Sequence, residues 1–130
     1  MEHNLFPVGM RLQHAWTTCS EIKDPKVEIV PLGDHKLHVH RVDPSTSHRL
    51  VSPPGGGGIT APSVAWEAFY PKGSVDPKSK NPGGFGFYLC GPSKFRASLS
   101  TADEVLFSYS VMFEQGWDFV KGGKLPGICE

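Results

Sequence analysis

Two lysines bracket a pair of glycines near the C-terminal end of the sequence, in the run Lys121-Gly-Gly-Lys124-Leu-Pro-Gly127. A lysine ammonium can neutralise a carboxylate, or act as a base where its surroundings favour the neutral form. Glycines have no side chain, so a ligand can approach their backbone closely. Lys121 and Lys124 are therefore candidate binding or catalytic residues. The alternative is a pair of surface lysines beside a glycine turn.

This lysine run does not match a nucleotide-binding loop. A Walker A motif needs Gly-x4-Gly-Lys followed by Ser or Thr, whereas Leu125 follows Lys124 and no glycine stands in the required earlier position. The 13 basic and 13 acidic residues give zero net charge, so the chain has no overall attraction for nucleic acid or an anionic membrane. Any recognition of an acidic ligand must be local.

Aromatic side chains recur upstream of the lysines. Trp66, Phe69, Tyr109 and Trp117 can stack on sugar rings, and the alternative is that they pack in the core. Trp66 and Glu67 are adjacent on a predicted strand, so their side chains face opposite sides. We expect one of the two to be buried and the other to face a ligand groove.

The histidines and cysteines give weaker hypotheses. His38 and His40 share a face if they lie on a strand, and His35 is close enough to complete a cupin-like metal site. The alternative is that the histidines are incidental side chains on a solvated strand face. We expect this alternative, and therefore no bound metal. The three cysteines lack metal-ligand spacing. They are either buried or incidental thiols, or members of a disulfide framework with a missing partner.

Alternating apolar and polar residues predict short strands joined by turns. The predicted elements are a hairpin of residues 27–31 and 36–42, strands at 64–70, 84–89 and 104–113, and a further strand beginning at 117–121. The strongest is 104–113, in which the odd positions from Val105 to Phe113 are apolar or aromatic. No long segment has a helical period. The pattern predicts an all-β, antiparallel fold, a β-sandwich or jelly roll.

The length of 130 residues suits a single domain over residues 1–130 with one core. No apolar run approaches the roughly 20 residues that span a bilayer, so we expect no membrane partner. The N-terminus shows no signal peptide. The localisation stays open.

Three segments together resemble polysaccharide lyase family 14, which includes alginate lyases and related glucuronan lyases. The most specific runs from Tyr109 to Gly127 and contains Gly-Trp-Asp-Phe-Val-Lys-Gly-Gly-Lys-Leu-Pro-Gly. The others are Trp66-Glu-Ala-Phe-Tyr-Pro-Lys-Gly-Ser74 and Gly84-Phe-Gly-Phe-Tyr88 with Gly91-Pro92. The resemblance covers about residues 63–128. The two upstream segments look like those of fungal members of the family.

The resemblance implies a jelly roll with a concave cleft and eliminative cleavage of 1,4-linked polyuronates, with no organic cofactor. By the same resemblance Lys124 is the catalytic residue, and Lys121, Trp66 and Tyr109 are substrate-binding candidates. The expected partner is an acidic polysaccharide, alginate or glucuronan. Members of the family often act outside the cell.

The family pattern continues beyond Lys-Leu-Pro-Gly with a Ser-x-Arg pair and a Tyr-x-Tyr pair, which have no counterpart in this sequence. We therefore expect a jelly roll that is incomplete at the C-terminus and an activity that is weak or absent. Exposed sheet edges would favour self-association. The alternative function is a non-catalytic domain that binds acidic glycans or has a structural role.

Overall fold

The computed structural model describes residues 12–55 and 62–129, in which short strands, turns and coil predominate. The strands are β1 Ala15–Thr17, β2 Val27–Ile29, β3 Leu50–Val51 and β4 Ala65–Trp66, and the helices are α1 Asp34–Leu37 and α2 Ser93–Leu99. This content agrees with the predicted all-β class. The strands form two small two-stranded sheets, neither of them closed, so a sandwich or jelly roll is not confirmed. The predicted antiparallel pairing holds for β3 and β4 but is wrong for β1 and β2, which are parallel.

The predicted hairpin of residues 27–31 and 36–42 is wrong, because β2 pairs with β1 in a parallel sheet. The register places Ala15 opposite Val27, Trp16 opposite Glu28 and Thr17 opposite Ile29. Pro31 has no N–H to continue a ladder, and the chain then forms α1. His38 ends this helix in the left-handed region with φ 51°. Residues 36–42 therefore do not form one continuous strand.

The predicted strand over residues 64–70 is confirmed only in part, at the two residues of β4. β3 and β4 are antiparallel, with Leu50 opposite Trp66 and Val51 opposite Ala65, and the Glu67 N–H extends the pairing by donating to the Arg49 carbonyl at 2.9 Å.

The strand-like segment at residues 84–89 is confirmed in part, by an antiparallel bridge between His40 and Tyr88. Two backbone hydrogen bonds of 2.8 and 2.9 Å join these residues. The Asp43 N–H donates to the Gly86 carbonyl at 2.8 Å.

The segment predicted as the strongest strand, residues 104–113, forms no strand, and neither do residues 117–121. The side chains from residue 101 to residue 129 are exposed throughout. A strand needs a neighbour that accepts its backbone hydrogen bonds, and no such neighbour lies beside these segments in the described chain. The apolar residues of this alternating pattern therefore do not form a buried face.

α2 was not predicted, because seven residues are too few to show a helical period. It begins directly after Pro92, which cannot donate a backbone hydrogen bond and suits a helix start. The Phe95 ring on α2 packs edge-on against Trp16 of β1, with ring centroids 6.1 Å apart. The helix thus packs against the first sheet.

The buried core of the described residues is small. Its apolar members are Ile22, Val27, Val30 and Leu37, of which Leu37 is the most deeply buried at 1% exposure. These side chains lie on β2 and α1 and on the turns that flank them. No helix among residues 12–55 and 62–129 has the length and apolar character needed to cross a membrane.

Candidate functional site

The two lysines of the glycine run are held differently. The Lys121 ammonium donates a hydrogen bond of 3.2 Å to the Gly73 carbonyl. Lys124 is exposed, and its ammonium contacts no side chain or carbonyl within residues 12–55 and 62–129. Lys121 therefore fixes the run against an upstream turn, while Lys124 is presented to solvent.

The turn that receives Lys121 spans Pro71 to Ser74. The Ser74 N–H donates to the Pro71 carbonyl at 2.9 Å, and the Ser74 hydroxyl donates to the same oxygen at 2.7 Å. Gly73 has φ 82°, the left-handed value that the third residue of a type II turn requires. The Asn81 amide donates to the Lys72 carbonyl at 2.8 Å. These bonds hold the Gly73 carbonyl in place as the acceptor for Lys121.

An aromatic contact also joins the lysine run to this turn. The Tyr70 and Trp117 rings meet edge to face, with centroids 6.0 Å apart. Trp117 in turn packs against Phe113 at 5.6 Å, and Phe113 packs against Phe119 at 4.9 Å. The motif around Tyr70 and the motif before Lys121 are thus in contact, although about 50 residues separate them.

The structure does not bring Trp66 or Tyr109 into contact with either lysine among the residues it describes. Trp66 is half-buried and lies edge-on to His48 and Phe87, with centroids 5.9 and 4.9 Å away. Tyr109 is exposed and lies 5.4 Å from the Phe107 ring. Of the four predicted site residues, Lys121 contacts the Pro71 turn and Trp66 contacts Phe87 of the segment 84–88, whereas no contact among the described residues joins Lys124 or Tyr109 to another motif.

Two polar pairs near Trp66 were missed by the sequence interpretation. The first joins His48 to Asp34 at the start of α1, with the His48 Nε2 2.9 and 3.0 Å from the two carboxylate oxygens. The His48 side chain is only 10% exposed, and its ring also contacts Phe87 at 4.8 Å. Fourteen residues separate His48 from Asp34, so only the fold reveals this pair.

The second pair is an ion pair between Arg49 and Glu67 on neighbouring strands. The hydrogen bond from Arg49 lowers the pKa of the Glu67 carboxyl, and the same bond raises the pKa of the Arg49 guanidinium. Both groups are accessible to water, so solvent screens the attraction.

The three histidines do not share a strand face, because His38 ends a helix. The His38 Nε2 lies 3.1 Å from the Ser93 hydroxyl, and the His40 Nδ1 lies 3.1 Å from the His38 carbonyl oxygen. The Cys90 sulfur is 3.8 Å from the same nitrogen of His40. In the part of the chain that the structure describes, no three His, Cys, Asp or Glu side chains are grouped so that they could hold a metal ion.

An open surface cavity of about 450 Å³ lies beside Pro71. Its walls come from the loop of residues 44–47 and from Phe69, Pro71, Pro82 and Gly84. The Gly84 N–H donates to the Phe69 carbonyl at 2.8 Å, which joins two of these walls. The volume lies within the range of small-molecule sites.

The family model described as Polysaccharide lyase 14 matches residues 60–130, which is more than half of the chain. The chain belongs to polysaccharide lyase family 14. Membership supports a lyase-like function in general and a polysaccharide as the substrate. Among curated proteins and among solved structures, none matches the chain.

The family match includes both lysines, the turn that holds Lys121 and the aromatic contacts between them. It also includes Phe69, Pro71, Pro82 and Gly84 of the cavity wall. The loop of residues 44–47 lies outside the match, and so do Asp34 and His48. The cavity therefore combines a wall that belongs to the family region with a wall that precedes it.

Proposed function

We propose that this chain is a polysaccharide lyase domain that cleaves 1,4-linked polyuronates by β-elimination, with alginate and glucuronan as candidate substrates. The observation that carries the proposal is the lysine run within the family region. Lys121 is fixed to the Gly73 carbonyl, and Lys124, three residues on, is exposed to solvent. A cation held near a fixed backbone turn suits the carboxylate of a uronate unit.

In the proposed reaction a base removes the proton from C5 of the uronate. The C5 electron pair forms the C4–C5 double bond, the bond from C4 to the glycosidic oxygen breaks, and an acid protonates that oxygen. Lys124 is proposed as the catalytic residue that neutralises the charge developing on the carboxylate, which is usually the largest catalytic contribution. Lys121, Trp66 and Tyr109 are proposed to bind the polymer.

We expect this elimination to be slow in the chain of 130 residues. Within residues 12–55 and 62–129, no hydroxyl and no second cation contacts Lys124, so a base, an acid and a charge-stabilising group are not assembled around it. Catalytic groups of this kind act as a unit, and one of them alone retains little activity.

We propose further that residues 1–130 belong to one domain with a jelly-roll arrangement of strands. The antiparallel pair of β3 and β4 and the alternating segment at residues 104–113 support this arrangement, whereas the parallel pair of β1 and β2 does not. Pairing of that segment with further strands would bury its apolar face. Until it is paired, the segment favours self-association.

Binding of sodium polymannuronate, polyguluronate and glucuronan, measured by isothermal titration calorimetry, tests the proposed cation site. We expect Lys124→Ala and Lys121→Ala each to weaken binding several-fold at low salt and less at high salt, because screening reduces the attraction. Lys94→Ala on α2 is the matched control and should leave binding unchanged. Equal affinity of all four proteins would contradict the cation site.

A non-catalytic acidic-glycan-binding domain is the second candidate, and it is favoured by the absence of partners around Lys124 among the described residues. It predicts the same lysine-dependent binding but no unsaturated products. Detection of unsaturated polymer ends therefore distinguishes the two functions, whereas a measurement of affinity does not.

A further inference from the structure

The cavity beside the Pro71 turn has an exposed aromatic wall. Phe69 is 66% exposed, although its backbone is fixed by the hydrogen bond from Gly84. An aromatic side chain this exposed on a fixed backbone leaves one ring face open to a ligand. The C–H groups on the apolar face of a pyranose ring suit such a surface.

The opposite wall carries three consecutive hydroxyl side chains, Ser45, Thr46 and Ser47. The Thr46 Oγ1 is buried from water and has no hydrogen-bond partner among the described residues. An oxygen without accessible surface cannot reach a ligand, so the polar surface of this wall comes from the exposed Ser45 and Ser47. The loop itself is fixed by the Asp43 carboxylate, which accepts from the Ser45 N–H at 2.9 Å. A ligand that offers hydroxyl groups would therefore meet a preformed polar wall.

No charged side chain lines the cavity, but a cation lies close to it. Pro71 forms part of the wall, and Gly73, two residues on, accepts the hydrogen bond from Lys121. The Cα atoms of residues two apart are separated by at most about 7 Å. The cavity and Lys121 are thus adjacent along one turn, with the cavity uncharged and the charge outside it.

From this arrangement we propose that the cavity is a sugar subsite that binds one pyranose unit of the polymer through its ring face and hydroxyl groups. Phe69 contacts the ring, and the exposed hydroxyls of Ser45 and Ser47 accept and donate hydrogen bonds. The carboxylate of the unit, or of the next one, faces Lys121. The identity of the polymer rests on the proposed function, but recognition in the cavity itself does not depend on charge.

The test compares a charged and a neutral ligand of the same linkage. The β-1,4-linked tetramers of glucuronate and of glucose differ at C6, where the second has a hydroxymethyl group in place of the carboxylate. Binding of each is measured by calorimetry at low and high salt, for the unaltered chain, Phe69→Ala, Ser47→Ala and Lys121→Ala. The matched control is Tyr88→Ala, because Tyr88 is an exposed aromatic residue that does not line the cavity.

We expect Phe69→Ala to weaken binding of both tetramers about tenfold, and Ser47→Ala about threefold to tenfold, since one hydrogen bond is lost. Both effects should be the same at low and high salt, whereas the effect of Lys121→Ala should shrink as salt rises. Ser47→Ala should melt at the same temperature as the unaltered chain, because Ser47 is exposed. A loss of affinity without a loss of stability identifies a binding role.

The subsite is overturned if the glucose tetramer does not bind and Phe69→Ala leaves binding of the glucuronate tetramer unchanged. In that case lysine-dependent binding of polyuronates can still hold, so this failure differs from failure of the proposed function. Conversion of a dimer to a monomer by Phe69→Ala, without an effect on tetramer affinity, would also overturn it. The cavity would then be an interface between copies of the chain.

Discussion

Lys121 and Lys124 are three residues apart but differ in what surrounds them. The Lys121 ammonium donates one of its hydrogen bonds to the Gly73 carbonyl. This bond positions the lysine run against the turn at Pro71. Lys124 keeps all its donors available to a ligand in the described chain. The resemblance to the family is the basis for proposing Lys124 as catalytic and Lys121 as substrate-binding, and this difference in surroundings supports the proposal.

The ion pair of Arg49 and Glu67 gives a pH dependence that can be predicted with its sign. Arg49 lowers the pKa of Glu67 in the folded chain, so the pair stabilises the fold above the ordinary carboxyl pKa of 4.5. This stabilisation is lost as the pH falls below 4.5 and through the lowered folded value. We expect Glu67→Gln to lower the melting temperature at neutral pH, and the difference to shrink as the solution becomes more acidic.

Thermal unfolding followed by circular dichroism from pH 7 to pH 3 measures this difference. Glu28→Gln is the matched control, since Glu28 is an exposed strand carboxylate that forms no ion pair among the described residues. Its effect should not show the same loss in acid. A Glu67→Gln effect that grows as the pH falls would contradict the assigned role of the pair.

Residue type and spacing mark Lys121 and Lys124 as candidates, and the roles that the family resemblance gives them stay predictions. The pair of His48 and Asp34 could not be predicted from the sequence. A histidine in a polar stretch has no sequence signal for burial, and its partner lies at the start of a four-residue helix. The same holds for Thr46, whose unpaired hydroxyl is a consequence of the fold around it.

The segment that leads into α2 packs against β1, because Gly91 lies directly beside the Trp16 ring. Gly91 has φ 71°, and a Cβ atom at this position would lie 3.1 Å from the indole. We expect Gly91→Ala to lower the free energy of unfolding by about 1–3 kcal/mol, from backbone strain and displacement of Trp16. Urea denaturation followed by tryptophan fluorescence measures the change.

Gly33→Ala is the matched control for this substitution. Gly33 has an extended backbone with φ 167°, and nothing lies within 4 Å of an added Cβ atom. Its substitution should change stability by less than about 0.5 kcal/mol. Equal effects of the two substitutions would show that contact with Trp16 does not hold α2 in place.

The predicted strands are found where a segment that can pair with them lies beside them in the described chain. β4 forms because β3 lies beside it, and the segment around Tyr88 pairs with His40. The segment 104–113 has the clearest alternation, yet it forms no strand, since alternation specifies a face and not a neighbour. Strand formation depends on long-range pairing, which a local pattern cannot supply.

At the scale of the whole molecule, a small core coexists with many exposed apolar side chains. Met112 is 57% exposed, and Val111 and Phe113 nearby are 46% and 45% exposed. Contiguous exposed apolar surface favours association. We expect the chain to form dimers or larger species whose proportion rises with concentration, and the double substitution Val111→Ser with Phe113→Ser to reduce them.

Sedimentation velocity over a range of protein concentrations measures this association. Leu99→Ser, at the end of α2, is the control for loss of an exposed apolar side chain elsewhere and should leave the distribution unchanged. A monodisperse monomer with one sharp cooperative melting transition would contradict the prediction, because it would show that the apolar segment is covered within a single copy.

The proposed lyase chemistry is tested most directly by the ends of the polymer after incubation. Polymannuronate, polyguluronate and glucuronan are each treated with the chain, Lys124→Ala and Lys94→Ala, and unsaturated uronate ends are followed by ultraviolet absorbance and mass spectrometry. We expect slow formation of unsaturated ends on at least one polymer by the unaltered chain and by Lys94→Ala. With Lys124→Ala we expect about a hundredfold loss or background. The absence of unsaturated ends from all three polymers, or equal rates with and without Lys124, would contradict the proposed elimination.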